Sequence, residues 1–230
     1  MNTISSFHHV LVFAAHPDDE VIGYGGTLRK LANMGAQITA VIATSGDTGI
    51  SPSFKHVEDL PEMRCSESKQ MKKLLGIRKI VFLGYKIQQL ANDQITFHQC
   101  IRIIRQVRPD LVLTHSPDDK HRDHQTLAVL TREAVWKAWE NVMPDLGLPH
   151  RVAETWIYEI TDIFDRADIV VDISETLEIK LEALAAHVSQ QELLAGINDY
   201  LRGLAQVRGF ALGCRYGEAF RFYNILPRMA

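Results

Sequence analysis

The chain is short of cysteine, of net charge and of long apolar runs, and each shortage removes a class of protein. Three cysteines, Cys65, Cys100 and Cys214, occur in 230 residues, and none forms a C-x-x-C pair. A dispersed, odd-numbered set supports neither a disulfide framework nor a cysteine zinc site, and it fits a reducing compartment. Lysine plus arginine number 25 against 28 aspartate plus glutamate, a formal net charge of −3. A dedicated nucleic-acid binder would show a basic face. Here the basic residues are scattered, apart from Lys69, Lys72, Lys73, Arg78 and Lys79, which at helical spacing read as a solvated face. Met1 to His9 has no basic stretch followed by a long apolar one, and Val10–Ala15 is too short for a signal or a membrane span. The expectation is a cytoplasmic protein with no nucleic-acid and no membrane partner. There is no internal repeat, low-complexity tract or clear linker. A 46% hydrophobic composition at this length supports one domain, 1–230, around one sizeable core.

What is there is an alternation of apolar β-branched runs with amphipathic segments. Strands are expected at Val10–Ala15, Ile38–Thr44, Lys79–Leu83, Leu111–Thr114, Thr155–Ile160 and Ile169–Val171, and helices at Gly26–Met34, Pro61–Leu75, His98–Arg108, His124–Asn141 and Leu177–Leu204. This is the βαβ signature of an α/β, Rossmann-like three-layer fold, a mostly parallel sheet with helices on both faces. Beyond about residue 174 the pattern fades into a long helical region and a strand-like Ala219–Leu226, read as a C-terminal extension packed on the sheet. The long loop Ser45–Leu60 follows the second strand, and loops of that size are often lids or binding loops.

Chemistry concentrates after two strands. Ala15-His16-Pro17-Asp18-Asp19-Glu20 follows the first, and Ser116-Pro117-Asp118-Asp119 with His121-Arg122-Asp123-His124 follows the fourth. In an open α/β sheet ligands bind at the carboxyl ends of strands, and carboxylates resist burial unless paired or bound to metal. Two loops from one sheet edge thus supply His16, Asp19, His121 and His124. Catalytic zinc needs three nitrogen or oxygen ligands and one open position, which two imidazoles and one carboxylate satisfy. Another acid must stay off the metal as general base. Asp18 and Asp19 are adjacent and cannot readily point the same way, so one can ligate while the other faces the water.

These paired motifs resemble the PIG-L / LmbE-like family of metal-dependent N-deacetylases, which act mainly on N-acetylglucosamine-type sugars and their conjugates. Gly23-x-Gly25-Gly26-Thr27, Thr44-x-Gly46, Arg64-x-x-Glu67, Lys180 with His187-x-Ser189-Gln190, and Tyr216-Gly217-Glu218-Ala219-Phe220-Arg221 extend the likeness over nearly the whole chain. The last two look closest to bacterial and archaeal small-sugar deacetylases. The resemblance implies His16, Asp19 and His124 as ligands of one Zn2+, Asp18 as general base and later acid, and His121 as stabiliser of the oxyanion. It also implies Asp123 as partner to an imidazole and Arg64 as a contact to substrate hydroxyls or phosphate. Homo-oligomers, a trimer or hexamer, are expected of such a family. One departure stands out: Leu83-Gly84-Tyr85-Lys86-Ile87 carries Ile87 where many relatives carry an aspartate that touches the sugar.

Other readings stay open at this stage. His121 could be a fourth ligand or a solvent-facing residue, and Arg64 could pair with Glu67 or Glu62 on its own helix. Asp47 reads as a turn residue, His115 as structural, His187 as a half-buried helix histidine, and Trp136 and Trp139 as core or subunit contact. The glycines Gly23, Gly25 and Gly26 match a dinucleotide loop incompletely, and the acids before them would repel a pyrophosphate. Two imidazoles and one aspartate also accept Fe, Co or Mn. The alternatives to an acetylated amino-sugar substrate are an amidase acting on a thiol–sugar conjugate and a non-catalytic metal- or sugar-binding relative.

Overall fold

β1, His9–Ala14, is buried from Val10 onward. A strand with no solvent face requires cover on both sides of its sheet. That cover is seen in the structure, a computed structural model that describes residues 4–49, 59–160 and 162–225. After β1 the chain runs α1 (Asp19–Asn33), β2 (Gln37–Thr44), α2 (Leu60–Leu75), β3 (Lys79–Tyr85), α3 (Gln94–Val107), β4 (Leu111–His115) and α4 (Arg122–Trp139). It continues through β5 (Glu154–Tyr158), β6 (Ile169–Asp172), α5 (Leu177–Ala185), α6 (Ile197–Leu212) and β7 (Gly217–Phe222). The sheet order is β3-β2-β1-β4-β5-β7-β6. The first five strands of that order are parallel, and β7 is antiparallel to both of its neighbours.

Alternation along β1 builds the layers. Val10 and Val12 pack with Leu28 and Leu31 of α1, Met71 of α2, Leu177 and Leu184 of α5 and Leu201 of α6. Leu11 and Phe13 pack with Ile101 and Ile104 of α3 and Leu127 and Leu130 of α4. The chain leaves β1 toward β2 on one side and returns to β4 on the other. The loops after β1 and β4 therefore diverge, which opens a crevice at the sheet's carboxyl edge. No described helix is long and apolar enough to cross a membrane.

Several boundaries differ from the sequence reading for local reasons. α1 starts at Asp19, not Gly26, because Asp19 and Glu20 suit a first helical turn. The glycine stretch Gly23, Gly25 and Gly26 lies inside this helix, around a kink at Tyr24 (φ −151°, ψ 24°). α3 starts at Gln94, not His98, since the Asp93 side chain caps it by accepting from the Thr96 amide at 2.9 Å. The single helix expected over Leu177–Leu204 is two, α5 and α6, separated by a short 3-10 turn at Val188–Gln190 and by Gly196 at φ 80°. The last strand is not laid on the sheet from outside; β7 is inserted between β5 and β6. Leu226 and residues 50–58 of the expected binding loop lie outside the described residues. Trp136 and Trp139 are exposed on α4 rather than core.

Candidate metal and catalytic centre

The tight turn after β1 brings His16, Asp18 and Asp19 to the crevice, and the N-terminus of α4 brings His121, Asp123 and His124. All but His121 are buried. Three atoms face one another at the centre. His16 Nδ1 lies 3.1 Å from His124 Nε2, and each lies 3.4 Å from Asp19 Oδ2. A tetrahedral ion with bonds of about 2.0–2.1 Å separates its donors by roughly 3.3 Å, so the triangle has the dimensions of three zinc ligands. The outer nitrogens each face a carboxylate. His16 Nε2 is 3.2 Å from Asp123 Oδ2, and His124 Nδ1 is 3.0 Å from Asp119 Oδ2. Metal-binding histidines are oriented in this way, with the inner lone pair left free.

Further donors surround the triangle. His121 groups with His16 and His124, and His115 with Asp19 and His124, all within 4.8 Å. His115 lies against the triangle: its Nε2 accepts the Ala15 amide hydrogen at 2.9 Å and is 3.2 Å from Asp19 Oδ2, and its ring stacks on His124. His121 caps α4, its Nδ1 accepting the Asp123 amide hydrogen at 3.2 Å. An acceptor Nδ1 places the proton of neutral imidazole on Nε2, so His121 keeps an N–H donor without a positive charge.

The charges shape one another. Burial alone would depress His16 and His124, but Asp19 with Asp123 raises the first to about 9, and Asp19 with Asp119 raises the second to about 10. Burial pushes Asp19 up, yet the three surrounding imidazoles hold it well below the usual carboxylate range. His115, buried and next to His124, falls to about 4. His121 is lowered by burial and by its histidine neighbours. Asp18 is raised to about 6 by burial, with Arg64 opposing. Glu20 is raised to about 8 by burial.

Asp18 reaches toward α2. Arg64 NH2 donates to its Oδ2 at 3.1 Å and to the Pro17 carbonyl at 2.7 Å. Arg64 thus pairs with neither Glu62 nor Glu67; Glu67 instead accepts from Ser189. Asp47 accepts from the Ile87 amide, and Asp123 Oδ2 from the Gln88 amide, so the β3–α3 loop is stitched beside His16. His187 is fully buried in the turn after α5. Sequence reasoning gave no role to Asp119 or Glu20. The signal for Asp119 was an acid two residues before His121. For Glu20, whose Oε2 accepts the Asp18 amide hydrogen at 3.1 Å, it was the last acid of the first motif.

The family model described as PIG-L: GlcNAc-PI de-N-acetylase matches residues 11–135, from β1 to the last turn of α4 and so across both loops. The chain belongs to the PIG-L family. A diacetylchitobiose deacetylase of Thermococcus kodakarensis is 31% identical over 93% of this chain and 82% of its own length. A probable N-acetyl-alpha-D-glucosaminyl L-malate deacetylase 2 of Bacillus cereus is 32% identical over 81% of this chain and 85% of its own. The solved structure of N,N'-diacetylchitobiose deacetylase from Pyrococcus horikoshii, complexed with its inhibitor MPG, aligns at 30% identity with a TM-score of 0.87. It covers 98% of this chain and 87% of that one. These PIG-L relatives are named as deacetylases, which are amide hydrolases, and the solved Pyrococcus structure shares the three-layer α/β fold of this chain.

Proposed function

We propose that this PIG-L chain is a metal-dependent deacetylase that removes the N-acetyl group from an amino sugar of the N-acetylglucosamine type or from its conjugate. The observation that carries the reading is the triangle of His16, Asp19 and His124, with a separate carboxylate, Asp18, turned off it. A fold alone does not choose a reaction, whereas an open metal-sized gap beside an unligated acid does. His16, Asp19 and His124 would hold one Zn2+, with other divalent metals acceptable to the same donors. When bound, the ion supplies a water acidified toward a pKa of about 7 and a Lewis acid for the acetamide carbonyl.

The rest falls to the chain's own groups. Asp18 takes the proton of the water whose oxygen joins the carbonyl carbon. His121 donates Nε2–H to the oxygen that gains charge. Asp18 then returns its proton to the nitrogen as the C–N bond breaks, which releases acetate and a free amine. Asp123 and Asp119 hold the two imidazoles in the tautomer that keeps their inner lone pairs free.

The deacetylase names of the relatives favour this reading over an amidase of thiol–sugar conjugates or a non-catalytic binder. Ile87, on a loop pinned by Asp47 and Asp123, leaves the choice between a simple sugar and a conjugate to measurement. We further infer a single domain, a cytoplasmic location in keeping with three free cysteines, and a homo-oligomer, a trimer or hexamer, in keeping with exposed Trp136 and Trp139. The test is amine release from N-acetylglucosamine, diacetylchitobiose and N-acetylglucosaminyl malate, by zinc-loaded and by chelated protein. Metal-dependent release from at least one is expected. No release from any acetylated sugar by protein of verified metal content would overturn the reading.

A further inference from the structure

Asp18 sits where an L-residue rarely sits, at φ 139° and ψ −23°. Such a conformation persists only when its surroundings over-determine it. Its amide donates to Glu20 Oε2, and its carbonyl accepts from the Val21 and Ile22 amides at 3.0 and 2.9 Å. These bonds fix the backbone and leave the carboxylate free to rotate. Among the described residues the remaining restraint is Arg64, whose NH2 bridges the Pro17 carbonyl and Asp18 Oδ2 and so ties the side chain to the backbone before it.

Little of Arg64 is left for a substrate. The residue is 3% exposed, NH2 is committed to the turn, and Nε is buried without a partner among the described residues. Its guanidinium lies against Gly46, where a Cβ would come within 2.6 Å of Arg64 Cδ and 2.9 Å of NH1. Gly46 also has φ 70°, so glycine is needed there twice over.

The helix that carries Arg64 is itself braced. Glu67, one turn further on, accepts from Ser189 twice, from the amide at Oε1 and from the hydroxyl at Oε2, both at 2.8 Å. Gln190 beside it donates to the Gly49 carbonyl at 3.1 Å, three residues from Gly46. The turn at Val188–Gln190 therefore grips both α2 and the loop against which Arg64 lies.

Resting on the reading of Asp18 as the base, we propose that Arg64 is a positioning residue for the Asp18 carboxylate rather than a substrate contact, and that Ser189 secures its reach by fixing α2 through Glu67. A substrate-binding arginine would act on KM; a positioning arginine acts on kcat.

The experiment compares R64M, R64K and S189A with the parent protein for kcat, KM, metal content and thermal midpoint, with D18N and the D18N/R64M double variant alongside. R64M should lower kcat about 100-fold, the scale of an ångström-sized misplacement, with KM and metal content unchanged. R64K, which keeps one charged donor group, should restore part of the loss. The double variant should be no slower than D18N, because residues acting as one unit are not additive. S189A should lower kcat several-fold at constant KM. A rise in KM at constant kcat for R64M, or losses that multiply in the double variant, would overturn the role of Arg64. An S189A kcat equal to the parent's would overturn the brace. Crystal structures of R64M and R64K give a readout independent of turnover, with the Asp18 carboxylate expected to leave its place in R64M. If the parent releases no amine from any acetylated sugar, the functional reading fails, while an unmoved Asp18 in R64M sinks the positioning role separately.

Discussion

α1 has a cluster of buried charge at each end of its kink, and the two are built in opposite ways. In the half after Tyr24, Glu218 accepts from the Gly26 and Thr27 amides at 3.0 and 2.7 Å, and Lys180 donates to the same carboxylate at 2.7 Å. The kink frees backbone donors, Glu218 satisfies them, and Lys180 balances its charge. The charge of that cluster is closed, although the Tyr24 and Thr27 hydroxyls beside it have no partner among the described residues. At the first turn, His16, Asp19 and His124 point their ligand atoms at one another across a gap of metal size. Asp18 is strained, and among the described residues buried atoms such as Glu20 Oε1 and Asp123 Oδ1 lack partners. Closed charge serves the fold, whereas charge arranged around a gap serves a ligand.

The contrast breaks most visibly at Asp18. D18N keeps the shape and removes the proton acceptor, so turnover should fall by about 10²–10⁴-fold, the usual range for a general base. The metal should stay, because Asp18 is outside the triangle. Loss of zinc from D18N, measured by elemental analysis, would place Asp18 among the ligands instead. His121 comes next. If His121 has the proposed role, H121A removes one donor to the oxyanion and should cost about 100-fold or more in kcat, again with metal retained. Metal loss in H121A would make His121 a ligand.

The closed cluster should respond in the other currency. K180M leaves Glu218 buried at 5% exposure with only its two amide donors. Removing one partner of a buried pair typically destabilises by about 3–5 kcal/mol, and the two amides place this case at the low end. Denaturant unfolding should show that loss. Folded K180M should keep kcat within a few-fold of the parent. A collapse of kcat in stable K180M would join the two clusters functionally and remove the distinction.

How much of this was legible in the sequence differs between the two clusters. The site was legible because its residues violate packing logic: acids and imidazoles directly after core strands have no reason to be there except a ligand. Strand-to-loop order then placed both motifs at one sheet edge. The partners were harder. Asp119 and Glu20 act through atoms whose aim depends on a turn's dihedral angles, which no spacing encodes. Arg64 crosses from α2 to the β1 loop, so its helix neighbours Glu62 and Glu67 were the natural but misleading partners. The split of the expected long helix followed from Ser189 and Gln190 being drawn toward Glu67 and Gly49, a tertiary pull that overrides a helical pattern. The Gly26 and Thr27 amides just past the kink at Tyr24 are met by Glu218, nearly the whole chain away.

The finest difference between the clusters concerns protons. In the metal-free protein Asp19, Asp123 and Asp119 raise His16 to about 9 and His124 to about 10, above the ordinary value of 6.5. Groups whose folded pKa exceeds the unfolded one stabilise fully below about pH 6.5, and that contribution disappears as the pH rises through 9 and 10. Chelated protein should therefore lose thermal midpoint across this window, by about 2–4 °C for each kcal/mol lost. The 3.1 Å between His16 Nδ1 and His124 Nε2 leaves room for one inward proton, not two, which keeps the effect small. With zinc bound, those lone pairs are occupied and the histidine contribution to the slope should vanish, while zinc affinity should rise with pH over the same range. Glu20, raised to about 8 by burial, favours its neutral form and adds a fall of the same sign. It is not a ligand, so its share should appear in both curves and cancel in their difference. Thermal midpoints of chelated and zinc-loaded protein from pH 6 to 10 supply that difference. Parallel curves would mean that the two imidazoles do not exchange protons for the metal, and that the gap between them is not where the ion binds.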